Sequence, residues 1–265
     1  MHLIDTHAHI YLDAFMEDRD DQIAQSREAG VASIYMPNID HTSIDAMLEL
    51  EEQQPDYCFA MMGLHPCSVK KDFEKELYLV EDWLGKRPFI AIGEIGTDLY
   101  WDDSFYAYQQ EAFLQQVTWA AQYQLPVVIH CRESISETIK MLEERDQEVK
   151  GVFHCFTGDL KQAEQVIALG CKLGIGGVAT FKNGGMDQVI PEIGLEHLLL
   201  ETDSPYLAPV PFRGKRNSPV HLPLIAAHVA ELKGASMDEV ASVTTRNALD
   251  LFNMDPLPDQ PSDLL

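Results

Sequence analysis

Two histidines near the start of the chain, His7 and His9, lie one residue apart in the stretch DTHAHI. In an extended strand, residues i and i+2 point to the same side, so both imidazoles can reach one ligand. Such a pair suits a metal ion, but a chain with ten histidines often contains this spacing by chance. The pair therefore indicates a metal site only if further ligand-type residues come together beside it.

Four more residues with metal-binding side chains each follow a short apolar run. These residues are Glu94, His130, His154 and Asp203. Each alone could equally be a hydrogen-bonded polar group at the end of a strand. With the first pair they give four imidazoles and two carboxylates, more than the three or four protein ligands of a tetrahedral zinc ion. The set suits two divalent ions that share a bridging carboxylate.

The apolar runs indicate the elements that must position these side chains. Eight such runs recur along the chain, and the segments between them show helical spacing. Their Val, Ile and Leu residues are continuous, which is typical of parallel strands buried on both faces. Gly30 and Gly170 are predicted to end two of the helices. The runs span residues 2–5, 32–36, 58–62, 88–93, 126–129, 151–153, 171–176 and 197–201.

Eight β-α units in about 250 residues predict an α/β fold, a (β/α)8 TIM barrel in a single domain. The ligand-type residues then fall at the carboxyl ends of the strands, the face on which barrel active sites are built. A doubly wound open sheet is the alternative, but no G-x-G-x-x-G sequence follows the first strand. We assign the domain to residues 1–254. Residues 255–265, with three prolines and no periodicity, are predicted to form a mobile or surface-draped tail.

Cysteine usage and hydropathy predict the compartment. The five cysteines are odd in number and lack C-x-x-C spacing, which predicts reduced thiols in a cytoplasmic protein. Cys131 and Cys155 each follow a site histidine by one residue, so we expect core side chains that point away from the site. No apolar stretch reaches 18 residues and the first strand begins at residue 2, so neither a membrane span nor a signal peptide is expected.

The formal net charge of −24 restricts the substrate. A surface this acidic repels polyanions, so a phosphate-bearing substrate must meet metal ions or local cations. The stretch FRGKRN at residues 212–217 supplies Arg213, Lys215 and Arg216. A solvated loop is the equal alternative for that basic cluster.

Seven stretches of the chain resemble the TatD family of metal-dependent hydrolases, within the amidohydrolase superfamily of (β/α)8 barrels. One stretch would be weak evidence, but seven in the family's order, over nearly the whole chain, are specific. Thr97 departs from the pattern, because the family often has leucine there, and Asp98 follows as expected. The stretches are IDTHAH (4–9), GLHP (63–66), IGEIGTD (92–98), VIHCRE (128–133), HCFTG (154–158), ETDSPYLAP (201–209) and RGKRNSP (213–219).

The resemblance implies a phosphodiesterase that cleaves DNA, exonuclease-like, with two divalent ions and a metal-activated water. It also implies that Glu94 bridges the two ions. A glutamate bridge favours Mg²⁺ or Mn²⁺, and the four histidines also admit Zn²⁺. The ligands implied for one ion are His7, His9, Glu94 and Asp203, and those for the other are Glu94, His130 and His154.

The same stretches contain candidates for proton transfer and phosphate contact. Asp203 is the candidate to orient the attacking water and to take its proton. Glu94 contributes as the shared ligand. His65, in GLHP, is a candidate hydrogen-bond donor to the phosphate, with a structural loop histidine as the equal alternative.

Five residues are candidates for contacts with the rest of the substrate. Arginines suit flanking phosphates because the guanidinium binds them in a bidentate manner. Arg132 could instead pair with Glu133 or Glu201. Tyr206, Asn217 and Glu201 could support the ligands from behind. The candidates are Arg132, Arg213, Arg216, Tyr206 and Asn217.

Two other functions stay open. The same metals and fold could serve an amidohydrolase that cleaves C–N or C–O bonds of a small molecule, since one scaffold hosts many chemistries. The basic cluster argues against this, because a cyclic amide or ester has no need of it. A non-enzymatic metal-binding barrel is the second alternative, and the intact ligand set argues against it. No membrane partner and no obligate protein partner is expected.

Overall fold

The computed structural model describes residues 2–145 and 148–257. Within these ranges the chain forms eight strands, all paired in parallel, so the α/β class and the strand count predicted from the sequence are confirmed. β1 to β3 form one sheet and β4 to β8 form another, each in sequential order. The strands are β1 Leu3–Asp5, β2 Val31–Pro37, β3 Cys58–Met61, β4 Ile92–Asp98, β5 Val127–Arg132, β6 Gly151–Phe153, β7 Cys171–Ile175 and β8 Leu198–Leu200.

Helices connect the strands and also complete the chain after β8. The two predicted helix stops are confirmed, because Gly30 and Gly170 follow helices with φ values of 90° and 87°. These values lie in the left-handed region, which favours glycine. The helices are α1 Arg19–Glu28, α2 Ile44–Gln53, α3 Phe73–Lys86, α4 Tyr106–Tyr123, α5 Ile135–Glu143, α6 Leu160–Ala168, α7 Met186–Val189, α8 Leu222–Lys233 and α9 Met237–Phe252.

β4 and β5 continue well past the carboxyl ends of their apolar runs. The sequence ends the fourth run at residue 93, whereas β4 begins at Ile92 and continues to Asp98. Likewise β5 continues to Arg132. The two strands stay paired through Gly96 and His130, so the backbone ladder continues into the polar residues. Glu94 and His130 therefore lie within strands, not after them.

The two sheets share a buried apolar interior. Among the described residues, one core cluster collects apolar side chains from both sheets, and α9 packs against it with Ala248, Leu249 and Phe252. A larger cluster joins the strands to the surrounding helices. We call the first cluster the inner cluster. Besides the three residues of α9, its buried members are Ile4, Tyr35, Met61, Ala91 just before β4, Val128, Val152 and Leu199.

Backbone hydrogen bonds also connect the edges of the two sheets. At one edge, the Gly93 amide donates to the carbonyl of Met62 over 3.0 Å. At the other, the Thr6 amide donates to the carbonyl of Leu200 over 3.1 Å. Isolated parallel bridges join Met62 to Ile92 and Ala8 to Ser204. The carboxyl ends of β1 and β8 are thus brought together.

Three minor expectations have mixed outcomes. Cys131 packs against the larger cluster as predicted. Cys155 is half-buried and, among the described residues, belongs to neither cluster; its φ of 46° breaks the strand alternation on which the prediction relied. Within the predicted tail, Leu257 packs against the inner cluster, and residues 258–265 lie outside the described ranges. No helix in the described part of the chain is long and apolar enough to cross a bilayer.

Replacing Phe252 with alanine should destabilise the protein by about 3–5 kcal/mol, because the buried ring fills the inner cluster 4.9 Å from Tyr35. Urea unfolding monitored by circular dichroism measures this change. The exposed Asp250→Ala variant on the same helix is the control and should change stability little. Equal stabilities of the two variants would contradict the role assigned to α9.

Candidate metal centre

The site residues lie where the strands end above the inner cluster. Val128 and Val152 belong to that cluster, and His130 and His154 follow them by two residues, so the alternation of a strand points both imidazoles along the same side. The carboxyl ends of parallel strands lie at one edge of a sheet. A cavity of about 770 Å³ opens there, and the predicted ligands that line it are His9, Glu94, His130, His154 and Asp203.

Glu94 lies at the middle of this arrangement, and its two oxygens face different histidines. Oε2 lies 3.2 Å from His7 Nε2 and 3.4 Å from His9 Nε2. Oε1 lies 2.9 Å from both His130 Nδ1 and His154 Nε2. Although its 2% exposure favours the neutral acid, the surrounding histidines outweigh burial and hold the pKa of Glu94 well below its usual range. The carboxylate is therefore ionised.

Asp203 approaches the first pair of histidines from the end of β8. Its Oδ1 lies 3.8 Å from both His7 Nε2 and His9 Nε2. Its backbone amide donates to the carbonyl of His7 over 2.8 Å, which ties the two segments together. Burial raises the pKa of Asp203 to about 6. All six ligand-type residues expected from the sequence are thus close together, on the two sides of Glu94.

The donor atoms suit cations. His7 Nε2 and His9 Nε2 are 3.3 Å apart, and so are His130 Nδ1 and His154 Nε2, so each pair directs two nitrogens and a carboxylate oxygen at one place. Three sets drawn from these residues and His65 bring their ligand atoms within 4.8 Å of one another. Imidazole and carboxylate donors suit Zn²⁺ and Mn²⁺, and carboxylates suit Mg²⁺. The residues present therefore fit divalent metal ions.

The ring of His9 is oriented by Tyr11, which the sequence analysis overlooked. The Tyr11 hydroxyl donates its single hydrogen to the Pro37 carbonyl over 2.6 Å. It can then only accept from His9 Nδ1, 2.9 Å away, so this nitrogen carries the proton and Nε2 keeps its lone pair for a metal. The spacing H-x-H-x-Y, in which every second residue faces the same side, was the available signal.

Carboxylates orient the two histidines on the other side of Glu94. His130 Nε2 lies 2.9 Å from Asp98 Oδ2, which leaves Nδ1 directed at Glu94. His154 Nδ1 lies 3.3 Å from Glu201 Oε1, an ion-pair contact without hydrogen-bond geometry. Such outer carboxylates fix the tautomer and raise the basicity of a ligand histidine. Gly174 leaves room for buried Glu201, because a Cβ there would lie 2.3 Å from Glu201 Oε2.

His65 faces the site with a protonated nitrogen, whereas His9 faces it with a lone pair. Its Nδ1 accepts a hydrogen bond from the Cys67 amide over 3.0 Å, so the proton of the neutral ring is on Nε2. This nitrogen lies 3.3 Å from Glu94 Oε1. Although burial opposes protonation, the charge of Glu94 raises the pKa of His65. His65 is arranged as a donor at the cavity wall.

The five substrate-binding candidates separate into two groups. Arg132, Arg213 and Tyr206 line the cavity. The Arg132 guanidinium stacks on the Tyr100 ring at 3.7 Å, and in the described ranges no ion pair joins it to Glu133 or Glu201.

Arg216 and Asn217 lie elsewhere. Arg216 pairs with Asp18 through both terminal nitrogens and donates to the Ala14 carbonyl. Asn217 is fully buried and donates to the Thr202 carbonyl over 2.6 Å, next to Asp203. Arg216 and Asp18 are 198 residues apart in the chain, so the residue types alone do not reveal that they pair.

Residues 4–253 match the family described as TatD related DNase. The chain belongs to this family. It is 36% identical to the uncharacterized metal-dependent hydrolase YabD of Bacillus subtilis, over 95% of this chain and 99% of YabD. It is also 36% identical to the 3'-5' ssDNA/RNA exonuclease TatD of Erwinia tasmaniensis, over 91% of this chain and 95% of that protein.

A solved structure agrees with this family membership. The crystal structure of YjjV, a TatD homologue from Escherichia coli, matches with a TM-score of 0.90 and 33% identity, over 96% of this chain and 98% of YjjV. The protein is therefore a TatD-family metal-dependent hydrolase that acts on ester bonds, with the α/β fold of that family.

Replacing Tyr11 with phenylalanine should weaken divalent-metal binding about 10-fold or more, because His9 loses the acceptor that fixes its tautomer. Isothermal titration of the metal-free protein with Mn²⁺ measures the affinity. Tyr35→Phe, which removes a hydroxyl from another fully buried tyrosine, is the control. Equal affinities in wild type and Tyr11→Phe would contradict the positioning role.

Proposed function

We propose that this TatD-family hydrolase cleaves phosphodiester bonds of DNA, in an exonuclease-like manner, with two divalent ions held on either side of Glu94. The observation that carries the proposal is that the two oxygens of this one buried carboxylate face separate sets of histidines. The ligands proposed for one ion are His7, His9, Glu94 and Asp203, and those for the other are Glu94, His130 and His154.

We also infer that the two sheets form a single closed (β/α)8 barrel, and that residues 1–254 are one domain. Hydrogen bonds between the sheets at both edges support the closure. The inner cluster supports it as well, because it draws side chains from both sheets and is covered at one end by α9. A barrel of this kind places its active site at the carboxyl ends of the strands.

Bound divalent ions would supply Lewis acidity toward a phosphoryl oxygen and would lower the pKa of a bound water. In the protein, Asp203 is the group placed to accept the proton of the attacking water. Its carboxylate borders the cavity, and burial brings its pKa to about 6, close to the range in which a general base is effective. His65 donates its Nε2–H to a phosphate oxygen.

The cations at the mouth reconcile a nucleic-acid substrate with the net charge of −24. Arg132, Arg213 and Lys215 line the cavity that contains the ligands, so positive charge is concentrated at the site. A cavity of about 770 Å³ is the size of a small-ligand site and admits the end of a strand rather than a length of duplex. The similarity to the 3'-5' ssDNA/RNA exonuclease TatD of Erwinia tasmaniensis supports the same substrate class.

Arg216 and Asn217 are better explained as structural supports than as substrate contacts. Arg216 is neutralised by Asp18, and Asn217 holds the backbone beside Asp203. A cytoplasmic location is also part of the proposal, since all five cysteines are free.

A turnover screen tests the proposed reaction. Metal-loaded protein is given single-stranded DNA, RNA, a simple phosphodiester and a panel of amides, with Mg²⁺, Mn²⁺ and Zn²⁺ each supplied. We expect the fastest turnover on single-stranded DNA. Hydrolysis of amides without cleavage of any phosphodiester would favour the small-molecule amidohydrolase, and no turnover at all would favour the non-enzymatic alternative.

Asp203→Asn should lower kcat on single-stranded DNA by about 10²–10⁴-fold, because the amide cannot take the proton of the attacking water. Metal content should remain largely unchanged, since the other ligands stay in place. Rapid-quench assays together with metal analysis measure the two quantities. Near-normal turnover in this variant would contradict the general-base role.

Arg213→Ala should weaken oligonucleotide binding and flatten its salt dependence by about one unit of log–log slope, as expected for the loss of one phosphate contact. Fluorescence anisotropy across a salt series measures both. Arg216→Ala is the matched control from the same loop and should leave the slope unchanged, because Asp18 already pairs with that guanidinium. An equal slope in all three proteins would contradict the phosphate contact assigned to Arg213.

A further inference from the structure

We propose that Trp101 forms a base-stacking subsite at the mouth of the cavity, where it receives an unpaired nucleobase next to the phosphate held by Arg132. The inference rests on the proposed function and adds the part of the substrate that the metal centre does not contact. Trp101 lines the cavity, yet its side chain is 68% exposed. An exposed indole beside a reactive centre is a surface that a ligand can cover.

Arg132 is stacked against the same aromatic pair. Its guanidinium carbon lies 3.7 Å from the centre of the Tyr100 ring and 5.2 Å from that of Trp101. The two rings meet edge to face, with centroids 4.9 Å apart. The two rings contact the guanidinium, and in the described part of the chain no carboxylate pairs with it. Its N–H groups are therefore available to a phosphate, beside an aromatic face available to a base.

Asp98 connects this aromatic pair to the ligand histidines. One of its oxygens, Oδ2, lies 2.9 Å from His130 Nε2. The other, Oδ1, accepts hydrogen bonds from the amides of Tyr100, at 2.9 Å, and Trp101, at 3.1 Å. The carboxylate that orients His130 thus also holds the backbone of both aromatic residues. Trp101 is exposed, but its backbone amide is held by the carboxylate that also orients His130.

The subsite would accept any base but require it to be unpaired. Stacking of a base on an aromatic ring is tolerant of sequence because every base has a π-face. Inside a duplex, each base is covered on both faces by its neighbours, so an indole can reach an internal base only after it has left the stack. The chemical class of ligand is therefore a single-stranded nucleotide segment with its phosphate on Arg132 and its base on Trp101.

The test compares a single-stranded oligonucleotide with otherwise identical ones that carry an abasic residue at each of the three terminal positions in turn. For wild type we expect kcat/KM to fall about tenfold or more at one of these positions. In Trp101→Ala the ratio between intact and abasic substrates should shrink toward one, and Trp101→Phe should restore it. Tyr78→Ala, which removes an equally exposed ring (67%) from α3 outside the cavity lining, is the control.

Intrinsic fluorescence gives a second readout. Trp101 is the exposed one of the three tryptophans, since Trp83 is half-buried and Trp119 is buried. Binding of a phosphorothioate oligonucleotide to the metal-loaded protein should quench emission in wild type but not in Trp101→Phe, although the latter still binds.

The outcomes separate this inference from the proposed function. If wild type cleaves oligonucleotides but does not distinguish abasic ones, or if Trp101→Ala slows intact and abasic substrates equally, the stacking subsite is wrong and the nuclease proposal stands. If wild type cleaves no nucleic acid, the proposed function is wrong and the subsite falls with it.

Discussion

One buried carboxylate, Glu94, determines how the site is organised. It is almost fully buried and still ionised, because histidines face both of its oxygens. An anion in this position needs compensating positive charge, and protons on the imidazoles or bound cations can supply it. Burial keeps His7 neutral, whereas Glu94 and Glu201 raise the pKa of His154 against the effect of burial. The two sides of Glu94 therefore differ before any metal binds.

This difference extends to the groups behind the histidines. On one side, the neutral hydroxyl of Tyr11 orients His9; on the other, the carboxylates of Asp98 and Glu201 face His130 and His154. A carboxylate partner makes the metal-facing nitrogen of an imidazole a stronger electron-pair donor than a phenol partner does. Each partner lies close in the chain to a candidate ligand: Tyr11 follows His9 by two residues, Asp98 follows Glu94 by four, and Glu201 precedes Asp203 by two. Chemistry and scaffold are thus specified by the same short stretches.

The sequence predicted which side chains meet at the site, because each candidate ligand follows an apolar run and parallel strands bring such positions together. It did not reveal the full length of β4, since the ladder continues through polar residues that carry no apolar signal. Nor could the sequence tell which of Arg213 and Arg216 is available to a substrate, because the two share a loop and a charge. Arg216 meets Asp18 only when the chain folds. Cys155 was misplaced because alternation fails at a residue with positive φ.

Anomalous diffraction from crystals grown with Mn²⁺ would show whether Glu94 lies between two cations. We expect two anomalous peaks about 3.5–4 Å apart, one in contact with each oxygen of Glu94. A single peak, or peaks coordinated without Glu94, would contradict it.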